Sequence, residues 1–248
     1  MEKKIGFEFM QKTNKHVSLT AQQRGVEQPP LEWAAPADAV RIALPRPETL
    51  EMPSMDLRTA IEQRTSVRQY SGKALELAEL SYLLWVTQGV KEVSARPVTM
   101  RTVPSAGARH AFETFVLVNR VEGLAPGLYR FLASEHTLIL VDDSNGLDEV
   151  LAHACFKQAM VAKAAVSFFW VAVVERMFWR YDERGYRYLH LDAGHVCQNL
   201  YLAGEALGCG TCAIAAFDDD LLNAALRLDG KEMFAVYAAT TGKKKTKE

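Results

Sequence analysis

The chain is short of cysteine, has no excess of either charge, and contains no apolar run long enough to cross a bilayer. Its 4 cysteines, Cys155, Cys197, Cys209 and Cys212, have no regular spacing, which excludes a disulfide framework and makes a reducing compartment, the cytoplasm, the expected location. Lys and Arg number 29 against 30 Asp and Glu, a formal net charge of −1, so there is no general basic field to hold nucleic acid. The longest uncharged apolar stretch, residues 164–174, is too short for a membrane span, and no membrane partner is expected. Met1-Glu2-Lys3-Lys4 is not followed by the apolar segment of a secretion signal. Also missing are a Gly-x-Ser-x-Gly elbow, the glycine spacing of a dinucleotide fingerprint and the Lys-Ser/Thr pair of a phosphate loop. What is present is a 248-residue chain, 49% apolar, able to bury a sizeable core as one large domain or two small ones.

Residues 1–53 are weakly periodic and broken by Pro29, Pro30, Pro36, Pro45, Pro47 and Pro53. They read as an arm over a core, its own or a partner subunit's, with an unstructured tail as the alternative. A regular domain over 54–248 follows. Its pattern predicts a helix from about 55 to 64, with Asp56 or Ser54 as cap. A second helix over 76–88 follows from Leu77, Leu80, Leu83 and Leu84 at helical spacing, with Gly89 closing it. Strands are predicted over 112–119, over 127–131 and 137–141 as a hairpin, over 166–174 buried on both faces, and over 234–240. Further helices are expected over 147–157, 189–207 and 219–226, with a charged loop before the second of these. The irregular mixture favours an α+β fold over a doubly wound sheet. The basic run from Lys243 onward reads as a solvated tail.

Three places could carry chemistry. Arg64, Ser66 and Arg68 put two guanidiniums and a hydroxyl within five residues, a set suited to a phosphate dianion. The competing reading is a solvated helix end, where basic residues are favoured anyway. Pro104, Ser105, Ala106 and Gly107 form a small-residue loop that could let backbone approach a flat ligand, or be an ordinary tight turn. The helix over 189–207 reads as apolar nearly all round, with no water-facing side, and carries Ala193, Gly194, Ala203 and Gly204, which suit close helix–helix approach across a dimer better than a monomer core. His190 and His195 do not share a helix face as a zinc pair would, and His195 is expected to make a buried hydrogen bond. The Cys209–Cys212 pair follows a helix C-terminus, where the dipole disfavours a thiolate, so both are expected to be structural.

Several segments together resemble the flavin-dependent nitroreductase superfamily, in particular its SagB-type branch of thiazoline/oxazoline dehydrogenases. They are Arg64-Thr-Ser-Val-Arg-Gln-Tyr70, Leu80 to Gly89, Pro104-Ser-Ala-Gly-Ala-Arg-His110, Gly127-Leu-Tyr-Arg-Phe131, His136, Gly185-Tyr-Arg-Tyr188, Gly194-His-Val-Cys-Gln-Asn-Leu200, Leu207-Gly-Cys-Gly210, Ala215-Ala-Phe217 and Gly242-Lys243. The resemblance implies a nitroreductase-like α+β fold: a central, mostly antiparallel sheet flanked by helices, in an obligate homodimer joined by a long buried helix. It implies FMN as cofactor, with Arg64, Ser66 and Lys243 on its phosphate and Arg68 near the ribityl chain and pyrimidine edge. Pro104 to Gly107, from the opposite subunit, would lie along the isoalloxazine, and the Ala215-Ala216 backbone would face N5. Hydride would pass from NAD(P)H to a nitroaromatic, quinone or similar small acceptor. The rivals are dehydrogenation of an azoline in a modified peptide and a non-catalytic scaffold in a peptide-modifying complex. Two departures matter. Arg180 stands where the azoline dehydrogenases have Lys, which leaves Tyr181 as the catalytic candidate, and Asp192 stands where Glu is usual.

Overall fold

The computed structural model describes residues 4–14, 19–94 and 98–245. Its nine strands are β1 (Arg41–Ala43), β2 (Val90–Val93), β3 (Thr99–Arg101), β4 (Phe112–Val118), β5 (Gly127–Leu132), β6 (Thr137–Asp142), β7 (Val166–Val173), β8 (Cys209–Ile214) and β9 (Met233–Lys243). The helices are α1 (Ile5–Lys12), α2 (Leu57–Gln63), α3 (Leu77–Gln88), α4 (Leu147–Ala154), α5 (Met160–Lys163), α6 (Val174–Tyr181), α7 (Gly185–Ala206) and α8 (Asp219–Ala225).

Seven strands form one sheet in the order β1-β6-β5-β4-β7-β9-β8, and β2 and β3 form a separate ribbon. Every pair in the large sheet is antiparallel, which makes the fold α+β. Strand β7 lies inside the sheet between β4 and β9, and all its residues are buried. Alternation sends Phe168 and Trp170 to the face covered by α3 and α7, and Phe169 and Val171 to the face covered by α4, α5 and α8. Each of those large side chains contributes roughly 1.5–3 kcal/mol of burial. That accounts for an uninterrupted apolar run without a βαβ repeat.

Local signals explain most element ends. Asp56 caps α2 by accepting the Thr59 N–H at 3.1 Å. Glu76 and Glu79 close a capping box on α3. Asp218 caps α8 through the Leu221 N–H at 3.0 Å.

Four expectations are corrected. The charged loop expected before the long helix is α6 and the first turn of α7, divided by Asp182 at φ 51°. The helix expected over 147–157 stops at Ala154, because Phe156 and Lys157 have φ of 51° and 58°, and Phe156 is exposed. Lys243 belongs to β9 and Lys244 bridges Tyr70, so the basic run is still sheet at its start; residues 246–248 lie outside the described residues. The long helix is not covered all round, since His190, Leu191, Gly194, His195 and Gln198 are exposed.

Residues 19–53 lie over their own chain, and β1 pairs with β6 as the sheet's edge. Glu113 of β4 anchors this stretch. Its carboxylate accepts the Trp33 N–H at 2.7 Å, Arg176 Nη2 at 2.6 Å and Arg130 Nη1 at 3.5 Å, with only 2% of its side chain exposed. Arg130 also donates to the Trp33 carbonyl at 2.9 Å, and Arg176 Nε to the Pro30 carbonyl at 2.8 Å. Arm, sheet and α6 therefore meet at one buried carboxylate.

Candidate functional site

The basic cluster lies along the outer edge of β8. Past the Gln63 end of α2 the chain is extended, and Ser66 bridges Thr211 in parallel, with the Val67 N–H donating to the Thr211 carbonyl at 2.9 Å. Gly210 makes that approach possible, since a Cβ there would lie 2.4 Å from Val67 Cβ. Period-two alternation in the extended segment puts Arg64, Ser66 and Arg68 on one side. Tyr201 of α7 organises them. Its hydroxyl is 3.0 Å from Ser66 Oγ and accepts the Ala213 N–H at 2.8 Å, while the Arg64 guanidinium sits 5.2 Å from its ring centroid. Neither Arg64 nor Arg68 has a carboxylate partner among the described residues. The Thr211 carbonyl and Ala213 N–H face this edge, and the same alternation carries on to Ala215; Ala215 and Ala216 are exposed just past the strand. Gln158 donates to the Ala216 carbonyl at 2.9 Å.

Arg68 also opens onto a cleft of about 570 Å³ lined by Gln69, Tyr70, Gln158, Met160, Lys163 and Lys245. Lys245 donates to Gln69 Oε1 there at 3.2 Å. Lys243, expected beside Arg64, instead forms an ion pair with Glu79 and donates to the Leu207 carbonyl at 3.1 Å. The lysines that share the cleft with Arg68 are Lys163 and Lys245.

The small-residue loop sits at the other end of α7. Ser105 Oγ donates to Asp192 at 2.6 Å and accepts the His110 N–H at 2.9 Å, and the Ala106 N–H donates to Asp192 at 3.2 Å. Burial pushes the Asp192 carboxyl up, while the Ser105 and Ala106 hydrogen bonds pull it down. Gly107 has φ 58°, and a Cβ on it would lie 2.5 Å from the Tyr181 hydroxyl and 2.8 Å from Arg180 Nε. The positive φ favours glycine there, and its missing side chain leaves room for the Tyr181 hydroxyl and Arg180 Nε over the loop. Tyr181 stacks edge-on with Tyr188 at 4.7 Å, so α6 and α7 hold it between them.

These two half-sites do not meet within one chain. Asp192 and Tyr201 are nine residues apart on α7, which is roughly 13 Å along the axis and on opposite sides of the helix. Between them runs the uncovered stripe of His190, Leu191, Gly194, His195 and Gln198. Leu191 is 60% exposed, and a Cβ at Gly194 would meet nothing within 4 Å. His195 lies on this stripe, exposed, and not in the buried hydrogen bond expected of it.

Cys209 and Cys212 are buried in β8 with free thiols, and burial pushes Cys209 up to about 12. Such thiols are poor nucleophiles. No three His, Cys, Asp or Glu converge on a metal-sized site among the described residues, and no described helix is long and apolar enough to cross a membrane. Tyr201 and Gly210 were not singled out by pattern; a lone aromatic on a buried helix and a glycine after a helix each have commoner explanations.

A profile of the Nitroreductase family matches residues 61–243. A protein of Methanocaldococcus jannaschii that bears a nitroreductase name is 35% identical over 191 residues, 77% of this chain and 91% of its own. The trifolitoxin-processing protein TfxB of Rhizobium leguminosarum is 27% identical over 213 residues, 80% of this chain; the match spans only 57% of TfxB. Among solved structures, a protein of Anabaena variabilis named as a nitroreductase superposes with TM-score 0.68 at 28% identity, covering 84% of this chain and 42% of that one. A chain of the Escherichia coli microcin synthetase McbBCD complex, with truncated pro-MccB17 bound, gives 0.61 at 18%, covering 83% and 79%. A Desulfovibrio desulfuricans protein in complex with FMN gives 0.53 at 18%, covering 79% and 92%.

Proposed function

Because the chain belongs to the Nitroreductase family, we propose that it is an FMN-dependent oxidoreductase whose two flavin sites are built jointly by a homodimer. Bound FMN would supply two-electron chemistry, accepting hydride at N5 from NAD(P)H and delivering it to a nitroaromatic, quinone or similar small electrophile. The observation that carries this reading is the alignment of Arg64, Ser66 and Arg68 along the edge that ends at Ala215. The donor set fits a phosphorylated, electron-accepting cofactor: two guanidiniums free of carboxylates, a hydroxyl, and strand-edge backbone beyond them. Arg64 and Ser66 would hold the phosphate, Arg68 would place positive charge near the flavin's pyrimidine edge, and the backbone of Ala215 and Ala216 would face N5. Lys243 would have to leave Glu79 to join them.

The dimer supplies the other half. A second copy packed on the Leu191–Gln198 stripe would bring its Pro104, Ser105, Ala106 and Gly107 loop towards the Tyr201 edge of the first, because the stripe is flanked by both half-sites. Tyr181 would then be a hydroxyl donor beside the reacting faces. Arg180 offers only N–H donors, with no acceptor.

Purified protein should be yellow and carry one FMN per chain, and the double variant R64A/R68A should lose most of it, each contact contributing roughly 1.5–3 kcal/mol. Full flavin occupancy in that variant would sink the assignment. Steady-state kinetics with varied NADPH and acceptor should give parallel double-reciprocal lines. Kinship with TfxB supports a second reading, oxidation of an azoline in a modified peptide. Incubation with a cyclised azoline peptide would then remove two mass units. Protein that takes up no FMN yet binds a partner would point to a scaffold.

A further inference from the structure

Among the described residues, the buried arginines have hydrogen-bonding partners for their guanidinium groups, with one exception. Arg130 and Arg176 clasp Glu113, and Arg101 donates to Gln88 at 2.9 Å and Thr99 at 3.2 Å. Arg109 is only 4% exposed, yet its guanidinium has no hydrogen-bond partner among the described residues, and its Nε is fully buried. Its guanidinium lies 5.1 Å from the Trp179 ring centroid. Burial pushes Arg109 below the usual arginine range, and the charge of a second cation, Arg180, adds to this, with Tyr181 opposing. Arg180 is itself exposed, 5.7 Å from the Tyr181 ring centroid, with no carboxylate partner among the described residues. Arg180 Nε and the Tyr181 hydroxyl both border Gly107.

Two adjacent guanidiniums without a counter-ion, one of them buried, are unfavourable unless an anion joins them. We propose that Arg109, Arg180 and the Tyr181 hydroxyl form a carboxylate subsite, and that the physiological acceptor is a flat electrophile bearing a carboxylate. The planar forks of the two arginines suit a carboxylate, and Trp179 and Tyr188 give its apolar body surfaces to lie on. Arg180 is thereby a specificity residue. The identification of the ligand as acceptor rests on the flavin reading above, but the subsite itself does not.

The test begins with calorimetry of the purified protein, its flavin content measured separately. Benzoate should bind and benzamide should not, and R180Q should weaken benzoate at least tenfold with unchanged melting temperature and flavin content. In turnover, 4-nitrobenzoate should exceed 4-nitrobenzamide about tenfold in kcat/KM. R180Q should bring that ratio near one by raising KM for the acid alone. Benzoate no tighter than benzamide, affinity unaffected by R180Q, or equal kcat/KM for the two nitro compounds would each overturn the proposal. Flavin-free protein that still binds benzoate through Arg180 would instead defeat the flavin reading and leave the subsite standing.

Discussion

Single residues set the geometry of the β8 edge. Gly210 is the clearest case, since any side chain there meets Val67 at less than contact distance. G210A should cost about 1–3 kcal/mol by overpacking. It should also lower flavin content, because relief requires the Ser66–Arg68 segment to move off the strand; urea unfolding and flavin per chain measure the two effects. His110 makes a prediction about pH. It is 5% exposed at φ 43°, and burial, with Arg101 and Arg109 close by, pushes its pKa down from 6.5 to about 3. Between those values the unfolded chain binds the extra proton. Stability from this group is therefore complete above pH 6.5 and is lost as pH falls towards 3. H110N keeps a residue tolerant of positive φ and removes the titration. Between pH 7 and 5 the native protein should lose about 2 kcal/mol more than H110N; equal losses in urea titrations would contradict the assignment.

At the scale of elements, Glu113 joins three pieces that sequence order keeps apart: arm, sheet and α6. E113A leaves Arg130 and Arg176 buried without their carboxylate, at a cost of about 3–5 kcal/mol. Since Arg176 lies on α6 with Arg180 and Tyr181, limited proteolysis should also show faster cleavage between residues 19 and 40. The elements most legible in the sequence were those with their own signals: the Asp56 cap, the leucine spacing of α3, the β5–β6 hairpin and the apolar β7. Helix α6 was hidden by its charges, although Val174, Met177, Phe178 and Tyr181 have helical spacing. Arg176 broke the pattern, being a buried cation whose carboxylate partner lies 63 residues away in the chain.

At the scale of the molecule, the uncovered stripe on α7 accounts for the separation of the two half-sites. A second copy seated there would cover exposed Leu191 and use the open space at Gly194 for close helix approach. L191E should yield a monomer in analytical ultracentrifugation and should lose flavin in the same step. A monomer that retains one FMN per chain would show that the site is complete without its partner.

Local pattern made the α+β class, the strand buried on both faces and the basic cluster readable, because alternation, capping and charge are properties of neighbours in the chain. Which lysines share the cleft with Arg68, why Gly210 must be glycine, and that Arg109 is buried without a counter-ion depend on residues far apart in sequence. Folding brings those groups together through packing against α7 and β8, and local pattern does not encode such distances.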